Sequence, residues 1–308
     1  MIENRREFIK TAISGAAGTI VAQLLPGTAF AQASARITAT PLSNILFNLT
    51  GAGTNVLAMS GPDGIVMVDG GLAEHSAALL QVVSGLPGGG RVHTIFNTCW
   101  FPEQTGSNQI LGQAGATIIA HENTRLWLTT DITRPWEQHT FPPFPREARP
   151  NKTFYDRDTI TVNNEPIEYG YLPQAHTDGD IYVFFPKSNI LAVGGVVSAE
   201  GWPMIDWWTG GWIGGLVTGI ETLLKVGNAQ TRIVPANGRA LSHSELQAQH
   251  EMYRTISTRL HTLIRKGYSP DEAIAAEPTK EFNNTMGSPE MFVRLAFQSL
   301  WGQLTPDA

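Results

Sequence analysis

The 308-residue sequence is poor in three things, and each shortage excludes a class of protein. It has one cysteine, Cys99, so no intramolecular disulfide can brace the fold even in an oxidising compartment. It has 21 Lys and Arg against 27 Asp and Glu, for a formal net charge of −6. With no basic stripe to neutralise phosphates, nucleic acid is excluded as the expected partner. After residue 31 it has no apolar run long enough to span a bilayer. What is there is the composition of a folded protein, 42% hydrophobic and only 16% charged, enough to bury a full core.

Residues 1–31 read as a targeting segment. Asn4-Arg5-Arg6-Glu7-Phe8-Ile9-Lys10 precedes a weakly apolar stretch that ends in Ala29-Phe30-Ala31. Together these resemble a twin-arginine signal peptide and imply a periplasmic protein. The alternative is an N-terminal membrane anchor, but Gly15, Gly18, Pro26 and Gly27 interrupt the run that a spanning helix needs. The segment carries Arg5, Arg6 and Lys10 against Glu3 and Glu7, so its removal takes the net charge from −6 to −7.

Periodicity predicts a layered α/β domain. Strands are expected at 45–49, 54–59 and 65–69, with a turn at Gly61-Pro62-Asp63-Gly64. A helix over 75–84 stops at Gly85 and is followed by a strand over 92–97, a helix over 104–114 and a strand over 117–120. Further strands are expected at 159–162, 167–172, 181–185, 190–193 and 232–234, with a helix over 215–226 and amphipathic helices over 242–266 and 289–301. Residues 131–150, rich in Pro and aromatics, read as a long surface loop, and loops of that length are usually functional.

The stretch Asn97-Thr98-Cys99-Trp100-Phe101-Pro102-Glu103-Gln104-Thr105-Gly106-Ser107-Asn108 lies between a strand and a helix. It resembles the H-x-H-x-D-H-x-G-G-N signature of the metallo-β-lactamase superfamily. Val68-Asp69-Gly70-Gly71, His176-Thr177-Asp178-Gly179-Asp180, Val193-Gly194-Gly195, Pro203-Met204-Ile205-Asp206 and Val234-Pro235-Ala236-Asn237-Gly238 follow in the superfamily's order, so the resemblance covers nearly the whole chain after residue 31. It implies a four-layer αββα sandwich at 32–240 with a helical C-terminal extension at 241–308.

The resemblance also implies that most metal ligands have been replaced. The family's histidines and aspartate of the motif fall on Cys99, Phe101, Glu103 and Gln104, the bridging aspartate on Gly195, and the last histidine on Asn237. Only His176 keeps its family identity. Phe101 and Gly195 cannot ligate, so a dinuclear centre is not expected. No cofactor is expected, the alternative being a single zinc held by Cys99, Glu103 and His176.

Gln104 and Asn237 can replace imidazole hydrogen bonds without a metal, and Phe101 adds an apolar wall. With Trp100, Trp202 and Trp207, beside Trp208 and Trp212, these residues suit a pocket for a hydrophobic small molecule. Equally, the tryptophans can join the loop to the helical tail or form a subunit interface. Asp69 and Asp180 read as structural or turn-stabilising carboxylates.

Two functions follow. The first is a hydrolase of an ester, lactone or similar molecule, with Glu103 and His176 as acid and base or Cys99 as nucleophile. The second is a non-catalytic binder of a small ligand, a protein partner or a second copy of the chain.

Overall fold

The computed structural model describes residues 36–304, and the targeting segment expected at 1–31 lies outside the described residues. Alternation of buried side chains makes the strands. In Ile65–Val68, Val66 and Val68 face one side while Ile65 and Met67 face the other, and all are buried. A strand apolar on both faces must lie between two layers, and Val56–Met59, Ile181–Phe185 and Ile190–Gly194 share the pattern.

Seven strands form the first sheet in the order Thr38–Pro41, Leu46–Thr50, Val56–Met59, Ile65–Val68, Val92–Phe96, Thr117–His121 and Lys152–Phe154. The first four run antiparallel and the rest join in parallel. Five strands form the second sheet: Arg157–Val162, Glu165–Tyr171, Ile181–Phe185, Ile190–Gly194 and Arg232–Pro235. Only its last pair is parallel, and the helix Ile213–Leu223 makes that crossover.

Between the sheets, Leu57, Met59, Val66 and Phe96 meet Ile181, Val183, Phe185 and Ile190. Each such side chain contributes about 1.5–3 kcal/mol on burial. On the outside of the first sheet, Ala58 and Met67 carry Leu79 and Val83 of the helix Ser76–Ser84. On the outside of the second, Phe184 and Leu191 carry Leu216 and Ile220, then Tyr253 and Phe297 from the C-terminal helices. The layers are therefore helix, sheet, sheet, helix, as the four-layer αββα expectation has it. The helices His243–Arg265 and Glu290–Leu304 form the C-terminal helical region. The longer one starts at a capping box in which Ser242 and Glu245 satisfy each other's backbone N–H groups.

Two expectations change. The helix foreseen over 104–114 is two short helices, Pro102–Thr105 and Asn108–Gln113. The break falls at Gly106, which passes so close to the turn at 71–73 that a Cβ would lie 2.3 Å from Ala73 N and Gly71 O. The long loop over 131–150 is partly ordered, as a hairpin pairing Ile132–Arg134 with His139–Phe141.

Candidate functional site

Loops leaving the strands of both sheets close around a cavity of about 360 Å³. Residues 99–104 follow Val92–Phe96, His176 follows Glu165–Tyr171, Gly195 follows Ile190–Gly194, and Asn237 follows Arg232–Pro235. Of the expected site residues, Phe101, Glu103, Gln104, His176, Trp202 and Asn237 line this cavity. Cys99, Trp100 and Trp207 are not on its wall. A wider cleft of about 620 Å³ adjoins it and shares Gly53, Thr54, Ala236 and Asn237, but holds neither His176 nor Glu103.

Cys99 is fully buried in an apolar cluster with Trp100, Leu128 and Ile132. Burial, then the carboxylates of Asp180 and Asp69, push its thiol well above the ordinary range. A nucleophilic cysteine needs thiolate and access, so the geometry does not support the role foreseen for Cys99.

Trp100 is also structural. Its Nε1 donates to Asp206 Oδ2 and Thr209 Oγ1, both at 3.1 Å, which ties the motif to the loop at 203–209. Trp207 meets Trp208 edge-on and Trp136 at 6.5 Å instead of a ligand cavity. Trp202 has both roles. It lines the cavity, and its ring stacks on Phe292 at 4.6 Å with a 12° tilt while Nε1 donates to Gly287 O. The aromatic cluster therefore chiefly joins loop to helical tail.

His176 and Asp180 form a buried pair. Asp180 Oδ1 lies 3.2 Å from His176 Nδ1, and Oδ2 accepts the Thr177 N–H at 2.6 Å. With the Nδ1 proton on the carboxylate side, Nε2 carries the lone pair and makes no hydrogen bond to a described residue. The ring lies 4.5 Å from that of Phe101 and directly against Gly195, where a Cβ would sit 2.8 Å from Cε1 and Nε2. The imidazole thus fills the space that a bridging aspartate at 195 would need.

Among the described residues, Cys99, His176 and Asp180 are a group whose donor atoms all lie within 4.8 Å of one another. This corrects the expected set, because Glu103 instead faces Arg134, with Oε2 3.9 Å from Nη2. Paired cations do not fit, since Phe101 and Gly195 offer no donor and the imidazole occupies the space beside Gly195. A single zinc would be held by Cys99, His176 and Asp180, whose sulfur, nitrogen and oxygen are donors zinc accepts, and would supply Lewis acidity.

Arg134 escaped the sequence reading, although it lies in the long loop expected to be functional. Its guanidinium is buried over Phe101 at 3.8 Å, with Trp100 and Phe141 at 4.8 and 5.1 Å. Nη1 donates to Glu137 Oε1 at 3.1 Å. Its Nε and Nη2, with Glu103 Oε2 and Gln104 Oε1, are buried without a hydrogen-bond partner among the described residues.

Asp69, expected to be structural, closes the strand before the cavity. Its backbone has φ +64°, which aspartate tolerates, and its carboxylate accepts the N–H and O–H of Thr98. Burial pushes it up to about 7.

The layered sandwich with a cavity at the strand ends has the metallo-β-lactamase fold. Solved structures share it. A metallo-β-lactamase from Pontibacter korlensis is similar with a TM-score of 0.57 and 18% identity over 71% of this chain and 99% of that one. The inverting sec-alkylsulfatase Pisa1 from Pseudomonas sp. gives 0.65 and 14%, over 85% of this chain and 50% of that one. The metallo-β-lactamase DIM-1 gives 0.58 and 16%, over 71% and 98%. No family sequence model matches the chain, and no curated protein does. At these identities the likeness is one of fold.

Proposed function

We propose that the chain is a hydrolase-like protein of the metallo-β-lactamase fold, exported to the periplasm by the twin-arginine route and acting on a small hydrophobic ester, lactone or similar molecule. Its chemistry is metal-independent or at most mononuclear. The observation that carries this is His176 on the cavity wall, paired behind with Asp180 through Nδ1 and with Nε2 uncommitted.

In this reading Nε2 takes a proton from water as the water oxygen bonds to the acyl carbon, and returns it to the alkoxy oxygen as the acyl C–O bond breaks, leaving the acid and the alcohol and a neutral imidazole. Asp180 holds the ring in one orientation and stabilises the imidazolium that forms. Phe101, Trp202 and Met204 supply the apolar wall for the substrate's body. Glu103, expected to act with His176 as acid and base, has its carboxylate beside Arg134 instead of beside His176 in this reading.

The test is hydrolysis of p-nitrophenyl acetate and δ-valerolactone by the wild type and by His176→Ala. The expected loss is at least about 100-fold. Equal rates in the two proteins would overturn the catalytic reading. Zinc-type β-lactamase activity is not expected, and β-lactam hydrolysis abolished by a chelator would count against the proposal.

A second reading, a non-catalytic binder, is favoured by one observation. His176 is only 3% exposed and pressed between Phe101 and Gly195, which leaves little room for an attacking water. Tight ligand binding without turnover would support it.

A further inference from the structure

The unpaired polar atoms of the cavity have a pattern. Arg134 has a side chain only 5% exposed, yet Nε and Nη2 make no hydrogen bond to a described residue. The N–H bonds of Nε and Nη2 leave the guanidinium along one edge, a fork that receives an acceptor oxygen. Glu103 and Gln104 line the same cavity, and their buried Oε2 and Oε1 make no hydrogen bond to a described residue. Glu103 Oε2 is 3.9 Å from Nη2, beyond hydrogen-bond reach, so donor and acceptor do not satisfy each other.

A ligand that met these groups would present an acceptor to Arg134 and a donor to Glu103 and Gln104. An ester carries acceptors only and would leave both of those oxygens unmet. A carboxylate would satisfy the fork but lie against Glu103 and the Glu137 carboxylate that already pairs with Nη1. A carboxamide carries a carbonyl and N–H groups side by side, at zero charge.

We infer that the cavity recognises a carboxamide on its ligand, with the carbonyl oxygen on the Nε/Nη2 edge of Arg134 and the N–H on Glu103 and Gln104. This rests on reading the cavity as the ligand site and identifies the group recognised, separately from the bond attacked near His176. The apolar faces of Phe101 and Trp202 take the ligand's hydrocarbon part.

The experiment titrates phenylacetamide, methyl phenylacetate and phenylacetate into the full chain by calorimetry and saturation-transfer NMR, then repeats this with Arg134→Lys and Gln104→Leu. The amide is expected to bind at least about tenfold more tightly than the ester or the acid. That preference should shrink to about threefold or less in either variant. Near-UV circular dichroism checks that each variant is folded, and Gln104→Leu carries the test if Arg134→Lys is not, because Arg134 also packs on Phe101. Tighter binding of phenylacetate, equal binding of ester and amide, or no binding of any of the three overturns the inference. Binding is read without turnover, so lost esterase activity with retained amide preference would fault the catalytic reading alone.

Discussion

A carboxylate buried without a cation partner holds its proton, and Asp69 shows the consequence. Its ordinary value near 3.8 rises to about 7, chiefly through burial, and Thr98 only partly offsets this. The folded state therefore binds a proton that the unfolded state has released between those two values. The stabilisation is complete below about 4 and is lost as pH rises through 7. Asp178, pushed up to about 6, and Asp206, also raised by burial, act with the same sign. Thermal melts should show the protein less stable at pH 8 than at pH 5, by on the order of a few kcal/mol. In Asp69→Asn, which suits the positive φ, that slope should shrink, and an unchanged slope would exclude Asp69 as its source. Cys99 gives a second residue-scale prediction. Because its thiol is buried and its proton tightly held, iodoacetamide should leave it unmodified in the native protein and label it fully in denaturant.

Among the secondary-structure elements, the sequence is legible where one period decides the structure. Val66 and Val68 against Ile65 and Met67, or Val183 and Phe185 against Tyr182 and Phe184, announce two-faced strands without knowledge of their partners. The break at Gly106 was not legible, because it depends on a turn more than thirty residues earlier in the chain. Arg134 was invisible for the same reason, since neither its stacking on Phe101 nor its facing of Glu103 follows from local spacing. The site was half legible. Order along the chain brought Phe101, Glu103, Gln104, His176 and Asn237 to one cavity, while the exchange of Glu103 for Asp180 beside Cys99 and His176 required coordinates.

Trp202 is the element-scale test, because it fastens the cavity loop to the C-terminal helix through Phe292 and Gly287. Trp202→Ala should cost about 2–3 kcal/mol in urea unfolding. Hydrogen exchange should rise in Glu290–Leu304, and unchanged protection there would show that the stack does not anchor the helix.

At the scale of the whole molecule, our proposal separates the fold from the chemistry at its strand ends. The sandwich is held by the core between its sheets and by helices on both outer faces, none of which requires a cation. The cavity lies at the strand ends, and its wall includes a histidine packed between Phe101 and Gly195 and held by Asp180. We propose that this site holds at most one cation, because Phe101 and Gly195 offer no donor and Cys99, His176 and Asp180 form one donor group. Elemental analysis of untagged protein, saturated with zinc and then dialysed against metal-free buffer, tests it most directly. No more than one equivalent of zinc per chain should remain, and two tightly held equivalents would overturn the single-cation proposal.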